Sequence, residues 1–216
     1  MCSFTNVQQS TTTQKEKKMF DHGMPSKIVW NGFYKVELIE IPGAPHPLEI
    51  IHATDSVSVL FYNLAERYAL LVRQPRIAMA TDKNPEGMIT ETVAGRFDLK
   101  IGARGLIVKE ALEEAGVEIT EGQIEMLNNG QPMALTAGCS TEKAYLAICE
   151  INATMIEAQE RVFGVKDEGE EIERIFIPFA DLEEYVCEDL RVFTLIQYLL
   201  SKLTTKAITR LIDDVV

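Results

Sequence analysis

A chain of 216 residues is long enough for one good-sized domain with a small appendage. Its 46% hydrophobic and 25% charged residues are the proportions of a soluble globular protein, and no apolar run is long enough to span a bilayer. A formal charge of −12 argues against nucleic acid as a partner, because such binders carry a basic footprint. An acidic protein that handles phosphates must bring in cations or place Arg and Lys locally. Cys2, Cys139, Cys149 and Cys187 show no C-x-x-C spacing, so neither zinc nor a disulfide framework is expected. Reduced thiols in a cytoplasmic setting, with no membrane partner, are the default. His22, His46 and His52 are too few and too clustered for a histidine-based triad.

Residues 1–24 are rich in Ser, Thr, Gln and Lys and have no apolar stretch of the kind a signal peptide needs, so they are expected to be a flexible tail. From Lys27 the pattern becomes strand. Ile28 to Trp30 and Phe33 to Ile41 flank Asn31-Gly32, a strong hairpin signal. The alternation slips at Leu38-Ile39, which predicts a bulge there or the end of the strand. After a Pro/Gly stretch, strands are predicted at Leu48–His52, Ser56–Tyr62 and Tyr68–Gln74, with a turn in Asn63 to Arg67.

Met88–Val93 is predicted as one short strand leading into a loop at Gly95. A helix follows and stops at Gly116, which suits the left-handed position at a helix end. Val108, Ala111, Leu112 and Ala115 form an apolar arc on that helix, and Lys109, Glu110, Glu113 and Glu114 fall outside it. Two readings stay open on the residues alone. One is a solvated acidic face with a Lys109–Glu113 pair; the other is a divalent metal site. Magnesium takes near-octahedral oxygens, usually from one or two carboxylates plus substrate phosphates, and the Ala94 carbonyl with Glu110 and Glu114 would supply such a set.

Farther along, strands are predicted at Gln123–Asn128, Lys143–Ile151 and Arg174–Phe179, and helices at about 180–187 and 192–203. Leu135 to Glu142 is a small-residue loop. Phe163 to Glu173 is a second loop, with Asp167, Glu168, Glu170 and Glu171 among its acidic residues. Strands with interspersed helices and no regular βαβ alternation predict a mixed sheet with helices on both faces, an α/β (α+β) architecture.

The stretch from Gly95 to Val117 resembles the Nudix box, G-x5-E-x7-R-E-U-x-E-E-x-G-U, where U is aliphatic. Gly95, Glu110, Ala111, Glu113, Glu114, Gly116 and Val117 match. Ile101 stands where the family has Glu, and Lys109 where it has Arg. In the family those two commonly pair to brace the loop on the helix, so their joint loss leaves no lone buried charge.

The resemblance covers about residues 27–200 and is closest to the ADP-ribose and nucleotide-sugar pyrophosphatases. Val72 to Arg76 (V-R-Q-P-R) is similar to a V-E-Q-x-R segment whose final Arg meets phosphate. Glu91 to Gly95 (E-T-V-A-G) is similar to E-x-x-A-G, whose Glu contacts the nucleobase. Trp30 to Tyr34 resembles an N-terminal hairpin whose leading aromatic stacks on the base. Ala137 to Glu142 resembles P-G-x-[ST]-x-E, and Asp167 to Glu170 resembles the D-E-x-E loop that supplies a general base and a further metal contact.

The resemblance implies a Nudix α/β/α sandwich over 56–216, preceded by a β arm over 25–55 that helps form a homodimer. It implies hydrolysis of ADP-ribose or a related nucleoside diphosphate sugar to a nucleoside monophosphate and a sugar phosphate. The implied cofactor is magnesium, with manganese as a substitute, held by Ala94, Glu110, Glu114 and Glu170. Glu168 is the implied base, assisted by Glu113 and Glu114, while Trp30, Arg76, Glu91, Gly95 and Glu142 are expected to bind substrate. The rivals are an enzyme specific for UDP- or GDP-sugars and a non-catalytic nucleotide-sugar sensor on the same fold, which the missing Glu at Ile101 favours.

Overall fold

The computed structural model describes residues 23–97, 101–156, 162–164 and 171–213. Two sheets are present among them. The first is an antiparallel meander of β1 (Ser26–Asn31), β2 (Lys35–Ile39) and β3 (Leu48–His52). The Asn31-Gly32 signal does make a hairpin, with a three-residue loop across which Asn31 pairs with Lys35. The expected bulge at Leu38-Ile39 is absent. Those residues pair in regular register with both neighbours, so the change of phase marks the end of β2, and the irregularity lies in β1 between Ile28 and Trp30.

The second sheet contains β4 (Ser56–Asn63), β5 (Tyr68–Pro75), β6 (Met88–Glu91), β7 (Val93–Arg96), β8 (Ile124–Met126), β9 (Met133–Ala134), β10 (Lys143–Glu150), β11 (Val162–Phe163) and β12 (Ile172–Pro178). Its main path runs β11-β12-β5-β4-β10-β8, and only the β4–β10 pair is parallel. Helices α1 (Ala103–Ala115) and α2 (Leu190–Asp213) cover opposite faces.

The covering can be read from alternate residues. Val57, Val59 and Phe61 of β4, Leu70 and Val72 of β5 and Ala147 and Cys149 of β10 pack with Leu106, Ile107, Ala111 and Ala115 of α1. The intervening Leu60 and Tyr62, Ala69 and Leu71, and Leu146 and Ile148 pack with Val192, Leu195, Ile196 and Leu199 of α2. Strands buried on both faces read as nearly continuous apolar runs, which is how β4, β5 and β10 appear in the sequence. The result is an α/β/α sandwich around a mixed sheet.

Four sequence expectations change here. The single strand over Met88–Val93 is two strands, and Gly95 lies inside β7 instead of in a loop. The reason is a split in the sheet. β4 and β5 pair with each other only at Phe61–Leu70, Tyr62–Ala69 and Asn63–Tyr68. Beyond that point β6 pairs with Val72 to Pro75 and β7 with Ser56 to Val59, so the chain must change partners at Thr92. The buried Thr92 hydroxyl is hydrogen-bonded to that of Ser58 at this corner.

The helix expected at about 180–187 is a single 3-10 turn at Phe179–Asp181, and α2 begins at Leu190 and runs to Asp213. On α1 the buried face is Leu106, Ile107, Ala111, Glu114 and Ala115, while Leu112 is 52% exposed. The helix is rolled so that Glu114 lies against β7, where its carboxylate accepts a hydrogen bond from the Ala94 amide at 3.0 Å. Gly116 ends the helix with φ 58°, as expected, and its amide donates to Leu112. Among the described residues no helix is long and apolar enough to cross a membrane.

Candidate active site

The split in the sheet, the second half of α1 and the first turn of α2 border one cavity of about 630 Å³, within the range of small-molecule sites. Four cations and five carboxylates face it. The sequence-predicted residues Arg76, Glu91, Ala94, Gly95, Glu110, Glu113, Glu114 and Glu142 all line it, although they come from five separate segments. Trp30 does not line it and is 63% exposed; Phe33 and Tyr34 from the same hairpin line it instead. Glu168 and Glu170 lie outside the described residues.

One wall is α1. Glu110 and Glu114 stand one helical turn apart, with Glu113 and Lys109 beside them. The Lys109 ammonium donates to Glu113 at 2.6 Å and to Glu110 at 3.3 Å. Facing this wall, Gly95 has no room for a side chain. A Cβ there would overlap Glu110 Cγ and lie 2.5 Å from its Cδ and Oε1. The glycine therefore brings the β7 backbone against the Glu110 carboxylate, which an alanine would displace.

The opposite wall is cationic. Glu91 is buried, and both of its oxygens meet arginines: Oε2 accepts from Arg76 Nε at 2.7 Å and Oε1 from Arg191 Nη2 at 3.0 Å. Arg191 was not singled out from sequence. It is held a second time by Asp189 just ahead of α2, which accepts from Arg191 Nη2 at 2.6 Å and from the Arg191 and Val192 amides at 2.6 and 3.2 Å. Burial alone would raise the Asp189 carboxyl, yet the hydrogen bond and charge of Arg191 hold it below the usual carboxylate range.

Because the folded value lies below the unfolded one, Asp189 stabilises the fold above about pH 4, and this contribution is lost as pH falls through the lower folded value. Asp189→Ala, which removes the cap of α2 and a partner of Arg191, is expected to cost about 1–2 kcal/mol in urea denaturation at pH 7. The difference from the parent should shrink below pH 4.

A third edge joins the two sheets. Glu142 accepts from Ser56 Oγ at 3.0 Å and lies 3.7 Å from Arg96 Nη2. The Arg96 guanidinium sits 4.9 Å from the Tyr34 ring centroid and 5.6 Å from that of Phe33. Phe33 itself is 85% exposed. An aromatic and guanidinium surface of this kind suits a flat, π-bearing ligand.

The carboxylates of Glu110 and Glu114, together with the Ala94 carbonyl, are the hard oxygen donors that magnesium or manganese takes, and the bare Gly95 lets that backbone approach. Among the described residues no three His, Cys, Asp or Glu side chains are gathered in metal-holding proximity. Between Glu110 and Glu113 the resident cation is Lys109.

No family-wide sequence model matches the chain. Individual proteins do. A GDP-mannose pyrophosphatase of Enterobacter sp. (strain 638) is 30% identical over 158 residues, covering 71% of this chain and 78% of its own length. One of Klebsiella pneumoniae subsp. pneumoniae is 31% identical over the same span, covering 75% of its length. One of Salmonella paratyphi B is 30% identical over 141 residues, 65% of this chain and 69% of its own. With the box residues gathered on one cavity in the expected sandwich, the chain belongs to the Nudix hydrolase family. It is an enzyme of the hydrolase class.

Proposed function

We propose that the protein hydrolyses the diphosphate of a nucleoside diphosphate sugar, with a GDP-sugar as the favoured substrate, in a cytoplasmic setting. The observation that carries this reading is a single cavity in which an acidic helix faces a pair of arginines held on the buried Glu91, the arrangement a bridging diphosphate needs. The preference for guanine over the adenine of ADP-ribose rests on the names of the similar proteins.

Water adds across the anhydride. Its oxygen bonds to one phosphorus, the bridging P–O bond breaks, and a nucleoside monophosphate and a sugar phosphate leave. Glu110 and Glu114 with the Ala94 carbonyl would hold magnesium or manganese, which when bound neutralises phosphoryl charge and acidifies water. Arg76 and Arg191 bind the phosphate oxygens. Glu91 positions both guanidinium groups, so that their charge is aimed before substrate arrives. The resemblance gives Glu91 a nucleobase contact; the two arginines it meets here favour this positioning role. Glu113 assists at the helix, Glu168 takes the proton of the attacking water, and Glu170 adds a further cation contact. Phe33, Tyr34 and Arg96 offer the surface on which a base stacks, with Glu142 fixing Arg96.

The exposed apolar residues of the first sheet, Val29, Trp30, Phe33, Leu48 and Ile51, support its role as the arm of a homodimer. In that assembly Trp30 would pack across the interface.

A panel of GDP-mannose, ADP-ribose and UDP-glucose assayed with magnesium tests the reading by the monophosphate released. GMP release is expected to exceed AMP release by about tenfold or more in kcat/KM. Binding of any of these sugars without product would favour the sensor instead.

A further inference from the structure

The family pattern places Arg at position 109 and Glu at position 101, whereas this chain has Lys109 and Ile101. Ile101 carries no charge and is 36% exposed, so it offers Lys109 nothing to pair with. The lysine instead reaches along its own helix. Its ammonium lies 2.6 Å from Glu113 Oε2 and 3.3 Å from Glu110 Oε1, and all three groups line the cavity.

We propose that Lys109 is a built-in counter-ion of the glutamate cluster and competes with the divalent cation for the same carboxylates. The inference rests on the metal reading given above. Two observations support it. The ammonium occupies oxygens of Glu110 and Glu113 that face the cavity, so an incoming cation meets both a blocked lone pair and a like charge. A lysine is a point charge on a flexible stem, and this one is partly exposed, so it can withdraw to water when displaced.

The consequence is a tuned, moderate affinity for the cation. It also gives the acidic helix a partly neutralised resting form that does not depend on metal.

Calorimetric titration of manganese into the intact parent, Lys109→Gln and Lys109→Arg tests this without reference to turnover. Lys109→Gln is expected to bind manganese about tenfold more tightly than the parent, and Lys109→Arg to stay near it because the charge remains. Equal affinity in the parent and Lys109→Gln would overturn the inference while leaving the metal site standing. No binding by any of the three proteins would overturn the metal reading itself, and the inference with it.

Discussion

Glu114→Gln is expected to lower kcat by about a thousandfold, equivalent to about 4 kcal/mol of transition-state stabilisation, with little loss of fold stability. The argument has two halves. Structurally, Glu114 is buried against β7 and accepts the Ala94 amide at 3.0 Å. A glutamine keeps the shape and a carbonyl oxygen for that hydrogen bond, so the helix stays docked. Chemically, the variant removes a full negative charge from the helix that is proposed to hold divalent cations against the diphosphate, and a neutral amide is a poor replacement there. Steady-state kinetics beside urea denaturation separate the two halves. Near-normal turnover would remove Glu114 from the metal set.

Gly95→Ala should act on the same chemistry from the opposite side, with kcat about a hundredfold lower. The glycine is a matter of space here. A Cβ would overlap Glu110 Cγ and lie 2.5 Å from its Cδ and Oε1, and those atoms belong to a side chain that can swing aside. The backbone of β7 therefore stays in register with β4, while the Glu110 carboxylate is driven from its place. Misplacement by about an ångström is enough to cost that much in rate. The expected signature is lost turnover with a nearly unchanged denaturation midpoint. A variant that keeps its activity would show that the position of Glu110 does not matter to the reaction.

Much of this site was legible in the residues. The Lys109–Glu113 pair follows from i, i+4 spacing and is present at 2.6 Å. The apolar runs of β4, β5 and β10 marked them as strands, and Gly116 announced the end of α1. What escaped was whatever depended on pairing between distant segments. Nothing local to Thr92 says that Met88–Glu91 will pair with β5 and Val93–Arg96 with β4, so one strand was read where two exist.

The roll of α1 likewise follows from Glu114 meeting a strand twenty residues earlier in the chain. Arg191 is the clearest omission. It meets Glu91 from 100 residues away, a contact no spacing rule encodes. One signal was available. Asp189 directly before the apolar periodicity of Val192, Leu195, Ile196 and Leu199 is a helix-start pattern, and it would have placed the N-terminus of α2, and Arg191 with it, more accurately. Phe33 and Tyr34 replaced Trp30 at the cavity because the hairpin loop, spanning residues 32–34, sets which ring faces which side.

The central claim is that Glu110 and Glu114, approached by the bare backbone at Gly95, hold divalent cations against a bridging diphosphate. A crystal of the protein with manganese and a non-hydrolysable nucleoside diphosphate sugar measures this directly through the anomalous signal of the metal. The account predicts manganese bonded to oxygens of both glutamates and of the diphosphate, with Arg76 and Arg191 on the phosphates. A diphosphate bound elsewhere, or manganese absent from both carboxylates, would contradict it.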